Sequence, residues 1–285
     1  MPIMRLAIAI PQFYADGEFD PAAFRAYFAR VEELGFESAW TQENVLTTSA
    51  QLSPIETMTY AAACTQRLRL GCVVFVTTLH SPVHLAKDLA TLDQLSRGRL
   101  IVLPTVSWHR DEYDALGVPF DRRGRVLDEQ LEIWSRAWSG SPVSYEGRYY
   151  RFGDVWVEPQ PFRPGGPELW FGGSSVHARL VERIVRYGSG FNPLGQPDAA
   201  GLARLASALA SAGRSPAEVE YVGGIRGRFA GPGELADLDL ALAQIPAQLA
   251  RGFTTICVKP SQFIDETARI GDFCRELVAK VALLG

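Results

Sequence analysis

Short apolar runs rich in β-branched residues alternate along the chain with longer segments whose apolar positions recur three and four apart, the pattern of strands and amphipathic helices taken in turn. The strand pattern falls at residues 5–10, 37–40, 68–76, 99–105, 168–171, 190–192, 220–226 and 254–259. The helical pattern fills the intervals at 21–34, 54–65, 82–95, 122–138, 176–187, 199–212, 234–251 and 263–283. Three helix starts are legible. Asp20-Pro21, Ser53-Pro54 and Ser81-Pro82 each put a capping oxygen before a proline at the first helical position, where a missing N–H costs nothing. Gly35, Gly188, Gly213 and Gly252 follow periodic segments and mark their ends.

Eight strand–helix units in 285 residues average about 36 each, close to the repeat of a closed parallel barrel. The expected fold is therefore α/β, a (β/α)8 TIM barrel with an insertion before strand five, in one domain over residues 1–285. An open doubly wound sheet is the alternative, but Pro11-Gln12-Phe13-Tyr14 stands where its glycine-rich phosphate turn would follow the first strand. The extra length lies at 139–167, where 143–150 and 152–157 alternate like a hairpin and 158–167 is rich in proline and glycine. Such an insertion predicts either a lid over the barrel mouth or a surface flap that could serve as a homodimer contact.

Composition narrows the partner. Hydrophobic residues make up 47% and charged residues 21%, as in ordinary globular proteins. With 28 Lys and Arg against 32 Asp and Glu, the net charge of −4 supplies no electrostatic basis for holding nucleic acid or an anionic membrane, which leaves a small-molecule partner. No apolar stretch approaches the roughly 20 residues of a membrane span. The opening Met-Pro-Ile-Met-Arg and the short apolar run ending at Pro11 lack the length and cleavage site of a secretion signal. Cys64, Cys72, Cys257 and Cys274 are scattered without a CxxC pair, so reduced thiols and a cytoplasmic location are expected.

In a barrel of this kind the working groups stand on the loops that leave the strands. That rule selects Gln12, Phe13 and Tyr14; Gln42, Glu43 and Asn44; Thr77, Thr78, Leu79 and His80; Ser107, Trp108, His109 and Arg110; and, later, Arg226, Arg228 and Lys259. Phe13, Tyr14, Phe75, Trp108 and Phe191 are candidates for apolar walls. Strand five delivers Gly172-Gly173-Ser174-Ser175, two glycines that let the backbone approach an anion just before a helix start. A serine-capped turn with no ligand is the plainer reading of the same residues. Glu43 is a carboxylate at the end of a buried strand, placed for acid–base work or for a rim salt bridge. His80, His84, His109 and His177 show no metal-ligand spacing, and neither a GxSxG elbow nor a P-loop is present.

Several runs taken together resemble the bacterial luciferase-like superfamily, in particular its branch of oxidoreductases that use the deazaflavin coenzyme F-420. They are Leu-Gly-Phe-Glu-Ser-Ala-Trp-Thr-Gln-Glu-Asn at 34–44, Leu-Arg-Leu-Gly-Cys-Val-Val at 68–74, and His80-Ser81-Pro82-Val83 continuing through Ala86-Lys87-Asp88-Leu89 to Leu95-Ser96-Arg97-Gly98-Arg99. Trp108-x-Arg110-x-Glu112, Leu116 to Phe120, Tyr145 to Tyr150 and Trp170-Phe171-Gly172-Gly173-Ser174 extend the likeness, which covers roughly two thirds of the chain. The resemblance implies a flavin or deazaflavin across the barrel mouth and hydride transfer or flavin-dependent oxygenation. It implies that Glu43 is the strand-two acid, that Gly172, Gly173, Ser174 and Ser175 hold the cofactor phosphate, and that a non-prolyl cis bond joins Val73 to Val74, beside Cys72, where the ring packs.

Three positions depart from the family's pattern. The histidine usual after the strand-two acid is Asn44, which hydrogen-bonds but cannot titrate, so acid–base work falls on Glu43, His109 or His80. The alternating glycines usual at strand four are Leu103, Thr105 and Ser107; Leu103 either narrows the approach to the backbone or points into the barrel core with the ring elsewhere in the mouth, whereas Thr105 and Ser107 offer hydroxyls to the ring or tail. Asp-Gly-Trp near strand six becomes Ser189-Gly190-Phe191. Three functions follow as expectations: hydride transfer between coenzyme F-420 and a small organic substrate; two-component oxygenation with reduced FMN; and a barrel without cofactor that acts as a binding protein. Arg110, Arg226 and Lys259 would serve the longer anionic tail of the deazaflavin.

Overall fold

A computed structural model describes residues 4–14, 19–193, 198–231 and 233–284. Residues 1–3, part of the N-terminal reading above, lie outside that range. In chain order the elements are β1 (Arg5–Ala9), α1 (Pro21–Glu33), β2 (Ser38–Thr41), α2 (Pro54–Cys64), β3 (Arg69–Phe75), α3 (Pro82–Ser96), β4 (Leu100–Pro104), α4 (Arg110–Ala115) and α5 (Arg123–Ala137). They continue with β5 (Val143–Glu146), β6 (Arg151–Val155), β7 (Glu168–Gly173), α6 (Ala178–Tyr187), β8 (Gly188–Pro193), α7 (Ala199–Ser211), β9 (Glu220–Gly224), α8 (Leu238–Leu242), α9 (Ile245–Leu249), β10 (Thr255–Val258) and α10 (Ile270–Ala282). Eight strands close in the order β1-β2-β3-β4-β7-β8-β9-β10, all neighbours parallel, and β5 and β6 form a separate antiparallel hairpin.

The barrel interior explains why this ring of strands closes. Trp40, Trp170, Ala7, Ile101, Leu103 and Val222 form an inner layer separate from the larger core between strands and helices. Parallel register sets each indole opposite a glycine, Trp40 against Gly71 and Trp170 against Gly190. A Cβ at either glycine would fall inside the facing ring, so the small residue is what admits the large one. Each indole N–H finds a polar partner below, Ser38 Oγ at 2.9 Å for Trp40 and Glu168 Oε2 at 3.3 Å for Trp170. Under the indoles, Arg69 meets Glu37 at 2.5 Å, Glu168 at 2.6 Å and Glu220 at 3.1 Å, and these carboxylates close the N-terminal end of the barrel.

Several helix boundaries differ from the sequence pattern. Asp20 caps α1 through Ala22 N and Ala23 N, but Ser53 and Ser81 hold the N-cap position without a side-chain bond. Gly35, Gly213 and Gly252 take positive φ at helix ends; Gly188 instead is extended and already pairs with Leu169 in β8. The long segment expected at 234–251 is two short helices, α8 and α9, because Pro246 lacks an N–H to bond back into the preceding turn. The last helix begins only at Ile270, after two 3-10 turns. α4 has no counterpart in the sequence pattern, being six residues long and mostly charged.

The insertion is fastened to α5 and α3. Glu129 accepts the backbone N–H groups of Arg148, Tyr149 and Tyr150 at 2.8, 2.9 and 3.2 Å. Further along, Asp93 accepts Arg163 N at 2.9 Å, and Lys87 and Gln94 donate to the carbonyls of Glu158 and Gln160. These bonds tie the insertion to α3 and α5, and its Tyr150 hydroxyl reaches Gln130, which also donates to the carbonyls of Thr77 and His80 beyond β3.

Candidate active site

The strand β2 ends in Thr41, and the chain then turns outward through Gln42, Glu43 and Asn44. Gln12 fixes this exit: its side-chain oxygen accepts Gln42 N at 2.6 Å, while its amide donates to the carbonyls of Gln42 and Leu52. Glu43 is 7% exposed. Its backbone N–H donates to Val74 O at 3.1 Å, its Oε2 accepts Val76 N at 2.6 Å, and its Oε1 lies 2.8 Å from His80 Nε2. The carboxylate therefore ties the end of β2 to both the end of β3 and the turn that follows it. The Val73–Val74 bond is cis, and the two valines lie half-buried on top of the inner layer.

Cys72, fully buried under this junction, donates to Val74 O at 3.4 Å. Burial pushes its thiol well above the ordinary range and the nearby Glu43 charge pushes it further, so it is a protonated packing residue and no nucleophile. His80 itself is positioned by its neighbours. Its N–H donates to Thr77 O at 3.0 Å, its carbonyl accepts Gln130 Nε2 at 3.0 Å, and its ring meets Phe75 edge-on with centroids 5.3 Å apart.

Asn44 and His109 stand apart from this cluster. Asn44 is exposed and donates to Gln51 Oε1 at 3.0 Å. His109 is exposed at the start of α4, its ring 3.6 Å from that of the 78% exposed Trp108. Ser107 is buried; its N–H donates to Tyr113 Oη at 3.1 Å and its hydroxyl accepts His109 N at 3.0 Å, so it organises the turn into α4. Thr105 is half-buried and extends the β3–β4 pairing through its N–H to Phe75 O at 2.8 Å. Leu103 is fully buried in the inner layer, where it forms floor and not wall. Phe75 and Phe191 are likewise fully buried in the main core, which corrects their reading as walls; of the candidate wall aromatics, Phe13 lines the mouth cavity described below.

Across the barrel, Gly172 and Gly173 are the last residues of β7 and Ser174 and Ser175 are exposed beyond them. A Cβ on Gly172 would collide with Asn192 O of β8, so the close approach of two strand ends requires glycine. The helix that follows starts two residues later than the pattern suggested, and its cap is His177, whose Nδ1 accepts Leu180 N at 3.2 Å. Both serine hydroxyls are thus free of the capping role. A cavity of about 260 Å³ opens between the β1, β2 and β10 exits, lined by Gln12, Phe13, Trp40, Val73, Cys257 and Lys259 among others. The Lys259 ammonium lies 5.9 Å from the Phe13 ring centroid, whereas Arg110 is paired with Asp121 at 3.0 Å and stacked over Phe120.

The fold and this mouth define a luciferase-like barrel, and the sequence comparison agrees: the profile of the Luciferase-like monooxygenase family matches residues 4–230. The chain belongs to that family. Among curated relatives, the FMNH2-dependent dimethylsulfone monooxygenase of Pseudomonas putida is 32% identical over 160 residues, 54% of this chain and 44% of that protein. The chain spans less than half the length of the curated relatives it matches. Among solved structures, a monooxygenase from Streptomyces bottropensis superposes with a TM-score of 0.79 at 21% identity, covering 97% of this chain and 98% of that one. The coenzyme F-420-dependent tetrahydromethanopterin reductase of Methanopyrus kandleri gives 0.73 at 17% identity, covering 98% and 99%. At such identities the two structures establish a shared fold.

Of the residues the sequence singled out, Glu43, Cys72, Val73 and Val74 come together, and Gly172 to Ser175 form a second group on β7. His80, Gln12 and Gln130 complete the first group. The first two were visible only as strand-end residues, and Gln130 lay hidden in the middle of a helix.

Proposed function

We propose that the protein is an oxidoreductase that transfers a hydride between coenzyme F-420 and a small organic substrate in the barrel mouth. The observation that carries the reading is the Val73–Val74 seat, locked from beneath by the inner layer and from the side by Glu43. A flat tricycle needs such an apolar surface, and a charged tail needs an anion turn whose backbone it can approach. The residues present fit both requirements. Val73 and Val74 would exclude water from one ring face. Ser174 and Ser175, with the backbone of Gly172 and Gly173 ahead of α6, would hold a phosphate. Lys259 would meet the carboxylates of a longer tail.

The reduced deazaflavin supplies a hydride from C5 and, lacking a nitrogen there, does not activate oxygen. The protein's part is to hold the substrate's electrophilic carbon over that seat in a dry pocket. Phe13 and the apolar faces of the small mouth cavity supply the dryness. Free thiols at all four cysteines suit a reducing compartment, and we place the protein in the cytoplasm; among the described residues no helix is long and apolar enough to cross a membrane.

A second reading, two-component oxygenation with reduced FMN, draws on the dimethylsulfone monooxygenase relative and on Arg110, which its pairing with Asp121 removes from the set of cations available to a long tail. Separate titrations of the purified protein with coenzyme F-420 and with FMN, followed by ring fluorescence, decide between them. Tighter binding of the deazaflavin supports the first reading and tighter binding of FMN the second. No response to either leaves a barrel that works as a binding protein.

A further inference from the structure

Four histidines are present, and the structure gives them four different settings. His84 is exposed on α3, His109 is exposed beside Trp108, and His177 caps α6 with its Nδ1. Among the described residues, only His80 touches a buried carboxylate, its Nε2 being 2.8 Å from Glu43 Oε1. That side chain is 33% exposed while Glu43 is 6% exposed, so one ring nitrogen faces a buried carboxylate while part of the ring remains open to solvent. Glu43 cannot turn away from the pair, because Val76 N–H holds its other oxygen. His80 cannot turn away either, since Gln130 and Thr77 fix its backbone and Phe75 abuts its ring.

We infer that His80 is the proton-transferring residue of the site, with Glu43 as its positioning partner. The inference rests on the proposed hydride transfer and adds the proton route that Asn44 cannot supply. An ionised carboxylate only accepts, so Glu43 fixes the neutral imidazole with its hydrogen on Nε2 and the lone pair of Nδ1 outward. On protonation, Nδ1–H becomes the donor. As hydride arrives at a substrate carbonyl carbon, the carbonyl π pair moves to oxygen and that oxygen takes the Nδ1 proton; the N–H bond breaks, the O–H bond forms, and the neutral ring regains a proton from water. In the oxidative direction Nδ1 accepts the hydroxyl proton as the hydride leaves. The hydride donor or acceptor is the deazaflavin of the proposed reaction. Among the described residues, the titratable groups linked to the ring are Glu43 from the exit of β2, with the Cys72 thiol of β3 beside that carboxylate, and Tyr150, whose hydroxyl accepts from the same Gln130 amide as the His80 carbonyl.

The test has two arms. In the cofactor-free protein, nitrogen NMR of the imidazoles reads the tautomer directly: wild-type His80 is expected as a single Nε2–H form that becomes a mixture in Glu43→Gln, whose amide can also donate. A mixed or Nδ1–H form in the wild type overturns the inference whether or not any cofactor binds. In the loaded enzyme, His80→Gln is expected to lower kcat by about 100-fold or more while cofactor binding, read by fluorescence, changes less than twofold. Undiminished turnover in that variant overturns the proton role even though the hydride reading stands; absence of cofactor binding in the wild type sinks the hydride reading and, with it, the proton-transfer role.

Discussion

Trp40 of β2 and Trp170 of β7 lie with ring centroids 5.1 Å apart and planes at 41°, two indoles from opposite walls meeting inside the barrel. Each exists there because its parallel neighbour across the register is glycine. Val73 and Val74 pack against the inner layer to which this pair belongs, so the residues that fill the barrel also support the valine seat.

Gly190→Ala is therefore expected to destabilise the fold by about 1–3 kcal/mol through overpacking against Trp170. Trp170→Ala, which empties the same space, is expected to cost about 3–5 kcal/mol. Urea unfolding checks both, and the pair Gly190→Ala with Trp170→Ala should be less destabilised than the sum of the singles, because the added methyl enters the space the indole leaves. Strict additivity would show that the two positions do not share the space.

The closed end of the barrel predicts acid lability. Burial pushes the Glu168 carboxyl up, but Arg69 and Arg163 outweigh it and hold the group below the ordinary carboxylate range. Arg69 follows the same logic in reverse: burial would lower it, yet Glu37, Glu168 and Glu220 raise it above the ordinary guanidinium range. A carboxyl whose pKa is lower when folded binds its proton more readily in the unfolded chain. Its contribution is complete well above an unfolded value of about 4.3 and fades as pH falls through the lower folded value. Melting temperatures measured against pH should show Glu168→Gln clearly below wild type at pH 7 and converging with it toward pH 3. A gap that stays constant with pH would assign the loss to packing.

The alternation of strands and helices made the barrel legible in the sequence, since each unit carries its own local periodicity and punctuation. What stayed hidden depends on contacts between distant segments. Glu43 and His80 are 37 residues apart and are joined only by closure of β2 on β3. Leu103 stands where the family pattern has glycine, and sequence alone leaves open whether it narrows the backbone approach or fills the barrel; closure places it in the inner layer with the two indoles. The polarity of Asn44 says nothing about which way its loop faces, and here it bonds Gln51 on the rim. Gly172 was legible as a backbone-approach position, but the chain it approaches, Asn192 of the neighbouring strand, was not.

Glu129→Ala should release the insertion without unfolding the barrel. Three N–H groups of the tight turn between β5 and β6 converge on this one carboxylate. Amide exchange at Arg148, Tyr149 and Tyr150 is expected to accelerate by about tenfold or more, in line with loss of charge-assisted bonds. The barrel strands should exchange as before. Faster exchange throughout β3 and β4 would instead make the insertion part of the cooperative core.

Ser174 and Ser175 offer the sharpest separation of tail from ring. If these hydroxyls hold a phosphate, replacing both by alanine removes two charge-assisted bonds, each of about 1.5–3 kcal/mol, and affinity for a phosphorylated cofactor should fall at least tenfold. Riboflavin carries the ring and ribityl chain without the phosphate, so its weaker binding should be the same in wild type and Ser174→Ala/Ser175→Ala. The comparison controls for collapse of the turn, because a distorted β7 end would disturb both ligands. Added salt should narrow the difference between wild type and variant for FMN and leave riboflavin unaffected, since only the phosphate interaction is screened. Equal losses for both ligands would move the tail elsewhere and reduce the glycine pair to the strand-packing role that Asn192 already requires of Gly172.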